Sequence, residues 1–455
     1  MSEIIKRGTI LDGEIIDITH EGKGVAKING LTVFIDGGTI GDIVKIKISE
    51  MKKRFALGKV LEIVKPSVYR VDSLCKVSEN CGGCQLRDLK YEKQLELKTN
   101  KVINDIEKIG KLKNVIVHNI IGMEDPLRYR NKVQVPVDEN HIGFYKKESH
   151  NIVDTDECII QHELSEKAIN IVREFMKKFN VSGYNRKTAE GNIRHVITKV
   201  SFKTKDTMII IVTNTKRLPY YEELIDMLKK EIPSVKSIVQ NINKNKTNLV
   251  LGDKNKVLYG DEKIIDYIGA LKFNISPQSF FQINSIQTEI LYKKALEYAD
   301  LKGKETVYDI YCGIGTISLF LAQKAKKVYG IEVISEAIED AKENAELNGI
   351  ENVEFYEGTA ETVLPELYKE GIKADVIVLD PPRKGCEKEV LDTIVSMKPE
   401  RVVYVSCNPS TLARDLNYLS NKGFLVKEVQ PVDVFAGSMH VECVVLLVNS
   451  GQVGK

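Results

Sequence analysis

The chain has 455 residues, 43% of them hydrophobic, with eight cysteines and a net charge of only +2. At about 150 residues per domain that length holds roughly three domains with sizeable cores, and the near-neutral total says little about partners. No apolar run approaches the ~18 residues that span a bilayer, so no membrane association is expected.

The opening "MSEIIKRGTILDG" lacks the apolar core of a signal peptide, so a cytoplasmic location is expected. Cysteines there serve metal binding or catalysis rather than a disulfide framework. Residues 1–65 read as five short strands between glycines: "GEIIDIT", "GVAKIN", "LTVFIDG", "DIVKIKIS" and "ALGKVLEIV". Strands of that size and number predict a small OB-type β-barrel. Gly22, Lys23, Gly24 and the basic tip Lys52-Lys53-Arg54 suit an RNA-facing edge, while a barrel that only contacts protein fits the same pattern. The stretch resembles a TRAM domain, an RNA-binding module attached to RNA-modifying enzymes.

Residues 66–92 hold Cys75, Cys81 and Cys84, with five and two residues between them, and Cys158 follows much later. Four thiolates with one closely spaced pair can hold zinc or an iron–sulfur cluster, and spacing alone favours zinc. Residues 93–110 read as a polar amphipathic helix. Residues 125–275 mix strands and helices without a nucleotide fingerprint, and "HVITKVSFK" and "TMIIIVTN" are strands. From Arg186 to Arg217 eight Lys/Arg face two Asp/Glu, whereas Glu332 to Glu370 carries twelve Asp/Glu against two Lys/Arg. The first run could meet a polyanion and the second would repel one, though both also fit solvated faces. "LRYRNKVQV" puts Arg128, Arg130, Asn131 and Lys132 on a predicted strand, and "GNIRHV" brings Arg194 and His195.

From about residue 276 strands and helices alternate regularly, predicting a doubly wound, mostly parallel sheet whose ligands bind beyond the strands' carboxyl ends. "YDIYCGIGTISL" gives a strand, a glycine turn at Gly313 and Gly315, and a helix start. A dinucleotide fingerprint would want a third glycine where Ser318 stands. Glu332, 23 residues after Asp309, ends the next strand and can accept hydrogen bonds from both hydroxyls of a ribose. The prolines of "VLDPPRKG" stop a strand and leave Asp380 at the sheet's upper edge. Cys407 ends "RVVYVSC", where a strand-end thiol taken alone reads as packed core, but a predicted helix follows whose N-terminus favours a thiolate. Cys443 in "VECVVLLV" reads as core, Cys312 as packing in the glycine turn, and Cys386 as a loop thiol. Glu442 and His440 share a face of the last strand.

Asp309, the glycine turn and Glu332 resemble the S-adenosylmethionine site of a Rossmann-like methyltransferase, and a thiolate and a carboxylate beside such a methyl donor suit methylation of uracil at C5. That carbon becomes nucleophilic only after C6 is attacked, and a base must then remove its proton. His440 fits either as that base or as a support.

Together "ISPQSFFQIN", D-x-x-C-G-x-G, L-D-P-P-R, "SCNPSTLARD" and H-V-E-C-V-V-L-L resemble the RNA uracil-5-methyltransferase family over nearly the whole chain. "DVFAGSMHVE" departs from the usual pattern, with Ala436 where proline is common. The resemblance implies Cys407 as nucleophile and Glu442 as proton acceptor. It implies Gln282, Tyr311, Glu332, Asp380 and, after "FYEG", Thr359 as contacts for S-adenosylmethionine. The four cysteines with a TRAM domain resemble the branch that acts on 23S rRNA and carries a 4Fe-4S cluster, so Cys75, Cys81, Cys84 and Cys158 become cluster ligands, with zinc as the alternative. Arg128 to Lys132, and Arg194 with His195, resemble the family's RNA contacts, and a flipped single-stranded uracil is the expected target.

The expected fold is thus multidomain α/β: a TRAM barrel at 1–65, a mixed α+β RNA-binding domain with the cluster at 66–92 and 125–275, and a Rossmann-like class I methyltransferase domain at 93–124 and 276–455. RNA is the expected partner, and a monomer without protein partners the default. The same reaction on tRNA is the nearest alternative. A TRAM-bearing radical methylthiotransferase would need three residues where five separate Cys75 and Cys81. A non-catalytic RNA-binding protein would leave Cys407, Glu442 and the cofactor motifs without a purpose.

Overall fold

The computed structural model describes residues 5–139 and 141–452; the first four and last three residues of the expected domain ranges lie outside it. The N-terminal strands Ile10–Glu14, Asp17–Ile18, Gly24–Ile28, Leu31–Asp36, Ile43–Met51 and Phe55–Lys65 form one sheet. The expected first strand is split at Ile15 and Ile16. Ile15 turns inward to the Asp42 carbonyl (3.0 Å), and Ile16 N–H reaches the Val25 carbonyl (2.8 Å), curling the sheet around Ile15, Val33, Ile35 and Ile46.

The central sheet runs Lys254–Gly260, Val235–Ile242, Thr207–Thr213, Ile193–Val200, Lys132–Pro136. Helices Glu163–Phe179 and Tyr221–Glu231 cover one face through Phe175, Val172, Leu224 and Leu228. The hairpin Ile264–Ile268/Leu271–Ile275 lies at the seam with the C-terminal part, where Phe273 and Ile275 share a core with Ile197, Val239 and Val444.

The largest sheet has eight strands in the order Val353–Glu357, Lys327–Glu332, Thr306–Ile310, Val376–Leu379, Arg401–Ser406, Glu442–Asn449, Phe424–Val432, Ile116–Val117. The first five are parallel, and Glu442–Asn449 runs antiparallel to both its neighbours. Helices Ser285–Ala299, Thr316–Ala322 and Ser335–Leu347 contribute to the core on one face, and Tyr91–Lys108, Ala360–Lys369, Lys388–Met397 and Pro409–Ser420 to that on the other. The carboxyl ends of Thr306–Ile310, Lys327–Glu332, Val376–Leu379 and Arg401–Ser406 therefore open on one crevice. Among the described residues no helix is long and apolar enough to cross a membrane.

Candidate active site

That crevice is a cavity of about 1290 Å³, and Gln282, Tyr311, Glu332, Thr359, Asp380, Cys407 and Glu442 all line it. Each stands at or just after a strand end or on a loop entering the crevice.

The glycine turn builds the floor. Tyr311, Gly313 and Gly315 adopt φ of 70°, 55° and 81°. At Gly315 an added Cβ would meet the Phe355 ring at 3.0 Å, so glycine answers both the conformation and the space there. Glu332 Oε2 accepts from Gly313 N–H (3.1 Å), and its Oε1 accepts from Val333 and Ile334 N–H (2.8 and 3.0 Å). Three main-chain donors fix the carboxylate while each oxygen keeps lone-pair capacity for a ligand hydroxyl. Thr359 precedes helix Ala360–Lys369 and shares a hydrogen bond with Thr362 (2.9 Å). The Gln282 carbonyl accepts from Asn131 Nδ2 (2.9 Å) and the Ile283 carbonyl from Asn131 N–H (2.9 Å), so the central domain holds this segment.

The reactive corner is set by strand register. Ser406 pairs with Cys443, and the next residues toward the crevice are Cys407 and Glu442. Asn408 caps the following helix through Ser410 N–H (3.2 Å), and its Nδ2 donates to the Arg383 carbonyl (2.9 Å). Glu442 is 7% exposed. Burial pushes its carboxyl up to about 8, with Asp380 adding repulsion and Arg383 opposing it. Burial likewise pushes Asp380 up to about 6. The helix N-terminus does not leave Cys407 with a low pKa, as the sequence suggested. Burial first, then Glu442 and Asp380, push its thiol up to about 11, with Arg383 pulling the other way. His440 lines the same cavity, edge-on to Phe435 at 5.9 Å, and burial pushes its imidazole down, toward the neutral form.

Arg383, Phe280 and Phe435 also line the cavity, and none of them was assigned a role from its sequence context. Lys263 and Lys384 of the lining pair with Asp340, Glu343 and Glu387. Among the described residues Arg383 is the one lining Lys or Arg with no side-chain hydrogen bond or ion pair. Its place directly after Asp380-Pro381-Pro382 was the available signal.

Of the other cysteines, Cys443 and Cys312 are core thiols as expected, and Cys386, expected as a loop thiol, is buried as well. Cys386 also receives the Tyr404 hydroxyl at 3.5 Å. Cys75, Cys81, Cys84 and Cys158 are free thiols that sense one another's charge. Burial pushes Cys84 up to about 12, with Cys158, Cys81 and Cys75 adding to it. Among the described residues no three His, Cys, Asp or Glu side chains are gathered as around a single metal ion.

Several expected RNA contacts are engaged inside the fold instead. Arg128, Arg130 and Asn131 precede the strand, which begins at Lys132. Arg128 pairs with Glu166 and lies near Glu157 (3.6 Å), and Asn131 is buried on Gln282. Arg194 Nη1 donates to the Asn243 and Asn245 carbonyls (2.8 Å each) under the Tyr184 ring, and burial pushes His195 down to about 4.

Comparison with known proteins agrees with this geometry. Residues 6–61 match the TRAM domain, and residues 90–450 match the family described as tRNA (uracil-5-)-methyltransferase. An uncharacterized RNA methyltransferase of Clostridium tetani is 50% identical over 455 residues, 99% of each chain. Another, from Oceanobacillus iheyensis, is 52% identical over 94% of each. The crystal structure of Pyrococcus abyssi tRNA (uracil-54, C5)-methyltransferase in complex with S-adenosyl-L-homocysteine superposes with a TM-score of 0.78 at 27% identity, covering 96% of this chain and all of that one. With a TRAM domain ahead of a class I methyltransferase fold, and a match running from residue 90 to 450, the chain belongs to the tRNA (uracil-5-)-methyltransferase family.

Proposed function

We propose that the protein transfers a methyl group from S-adenosylmethionine to C5 of a uridine in 23S rRNA, through a covalent bond between Cys407 and C6. The observation that carries this reading is the pairing of Ser406 with Cys443, which sets a thiol and a buried carboxyl side by side at the crevice. Glu332 would hold the ribose, Thr359 would face the adenine, and Gln282, Tyr311 and Asp380 would bound the rest of the cofactor. Bound there, the cofactor supplies an electrophilic methyl group on a sulfonium.

Cys407 Sγ, as thiolate, adds to C6, and the C5–C6 π electrons move toward O4 as an enolate. As the enolate collapses to the C4 carbonyl, C5 would take the methyl group, whose bond to the sulfonium would break and leave S-adenosylhomocysteine. Glu442, as carboxylate, removes the C5 proton; that C–H pair reforms the C5–C6 double bond, the S–C6 bond breaks and the thiolate leaves. Both groups act deprotonated, so the bound cofactor and RNA would have to offset the burial that raises Cys407 and Glu442. Such a target must be unstacked, because sulfur and methyl donor approach different atoms of the ring. The TRAM domain supports an RNA substrate met in the cytoplasm.

Cys75, Cys81, Cys84 and Cys158 suit a 4Fe-4S cluster better than zinc. Burial first, and then the neighbouring thiols, raise Cys81, Cys84 and Cys158, which need a cationic occupant to ionise, and a cluster spreads its thiolates over four irons whereas zinc draws them around one ion. Methyl transfer requires no electron, so its role would be structural.

The cysteine set and TRAM domain favour rRNA. The similarity to a tRNA (uracil-54) enzyme favours the second reading, the same reaction on tRNA. Mapping 5-methyluridine in RNA from a deletion strain separates them: loss from 23S rRNA with tRNA unchanged supports the first, loss from tRNA alone the second, and loss from neither rejects both.

A further inference from the structure

The loop that delivers Glu442 to the cavity runs from Asp433 to Val441, and the family's customary proline is Ala436 here. Something other than proline must fix its path. Lys98 and Asp433 are both 0% exposed and meet at 2.6 Å, and Lys98 Nζ also donates to the Phe435 carbonyl (3.0 Å). The second Asp433 oxygen accepts from the Tyr91 hydroxyl (2.8 Å), which itself accepts from Met123 N–H (2.8 Å). One turn along the same helix face, Gln94 Oε1 accepts from Gly437 N–H (2.9 Å), and the Tyr129 hydroxyl donates to the Ala436 carbonyl (3.0 Å). Helix Tyr91–Lys108 thus grips the loop at Asp433, Phe435 and Gly437. Phe435 and His440 line the cavity, and Glu442 follows one residue after Val441.

We propose that Lys98, with Tyr91, is a positioning residue for proton removal: the buried Lys98–Asp433 pair sets the height of the loop and so the reach of Glu442 toward C5 of the adduct. The role is not binding, since neither Lys98 nor Tyr91 lines the cavity. A lysine without a carboxylate partner would not be left in so dry a place, and a hydrophobic pair would pack there at lower cost. What the pair offers instead is direction: an ammonium that must satisfy a carboxylate and a main-chain carbonyl together admits one loop geometry. The inference rests on the proposed role of Glu442. If the loop shifts, Cys407 still adds and C5 still receives the methyl group, but the C5 proton stays and the S–C6 bond cannot break.

The test uses the full chain, S-adenosylmethionine and total RNA from a strain lacking the gene, with ordinary uracil. Glu442→Gln should accumulate a denaturation-stable protein–RNA adduct carrying the methyl group. Lys98→Met should accumulate the same adduct and lose about a hundredfold in kcat, with cofactor affinity by calorimetry unchanged. Tyr91→Phe, which keeps the ion pair and so keeps the fold should Lys98→Met not, should show the adduct with a smaller loss. Wild-type turnover without adduct in Tyr91→Phe and in any folded Lys98→Met overturns the proposal. A Glu442→Gln enzyme that turns over without adduct overturns the role of Glu442 and this inference with it.

Discussion

Cys407 and Glu442 stand one residue beyond the Ser406–Cys443 pair, on neighbouring antiparallel strands that end at the same crevice. Residues 35 positions apart in the chain are brought together by register alone, and a one-residue slip would send each to the opposite face of the sheet.

The pH response follows from which form acts. Glu442 and Cys407 have pKa values raised to about 8 and about 11, and the proposed reaction needs both deprotonated. Alkylation of Cys407 in the free protein should therefore rise steadily with pH across the neutral and mildly alkaline range. A cationic ligand in the cavity stabilises both anions, so S-adenosylmethionine should move the alkylation profile to lower pH and neutral S-adenosylhomocysteine should move it less. Profiles that respond equally to the two ligands would contradict this.

Arg383 is the lining cation that opposes the rise at Cys407 and at Glu442. Arg383→Gln should shift the alkylation profile to higher pH, with Arg383→Lys close to wild type. An unchanged profile with weaker RNA binding would make Arg383 a phosphate contact instead.

Glu332→Ala should weaken S-adenosylmethionine binding by about 2 kcal/mol, roughly thirtyfold, through the loss of charge-assisted bonds to the ribose. Isothermal calorimetry reads this directly. The loss should also appear with S-adenosylhomocysteine, because the ribose is common to both.

In the barrel, Asp42 is fully buried and accepts from Thr39 and Ser67 N–H (2.7 and 2.8 Å) and from Arg70 (2.5 Å). Burial pushes its carboxyl up, but these donors outweigh it and hold it below the usual range. The stabilisation is thus present above the ordinary carboxylate pKa and is lost as pH falls through the lower folded value. Asp42→Asn should cost about 3 kcal/mol in denaturant unfolding at neutral pH, and the difference from wild type should shrink in acid.

The cysteine set gives a further chemical test. Protein purified without oxygen should show iron–sulfur absorption, and Cys84→Ser should abolish it. A colourless protein with one zinc per chain would contradict the cluster.

Cys407, Glu442, Glu332, Asp380, Tyr311, Gln282 and Thr359 line one cavity; Cys407, Glu332 and Asp380 could be read toward it because strand ends announce themselves, an apolar run stopping at glycine, proline or a polar residue, whereas Gln282, Tyr311 and Thr359 came only from the family resemblance. The sequence misled where a polar side chain turns inward. Arg194 and Asn131 read as surface contacts, yet one satisfies carbonyls at the end of a sheet and the other holds Gln282. Lys98 had a trace in the sequence, since it shares a helix face with Gln94, Val102 and Ile106, but its partner lies 335 residues away. The high pKa of Cys407 comes from burial first and then from Glu442 and Asp380, which are distant in sequence, and no local rule reports either.

The most direct test of the account is trapping with RNA containing 5-fluorouracil, whose C5 fluorine cannot leave as a proton does. Wild-type protein with S-adenosylmethionine should form a denaturation-stable adduct whose cross-linked peptide contains Cys407, and Cys407→Ala should form none and lose methyl transfer by more than about 10⁴-fold. An adduct at another residue, or a Cys407→Ala protein that still makes 5-methyluridine, would contradict it.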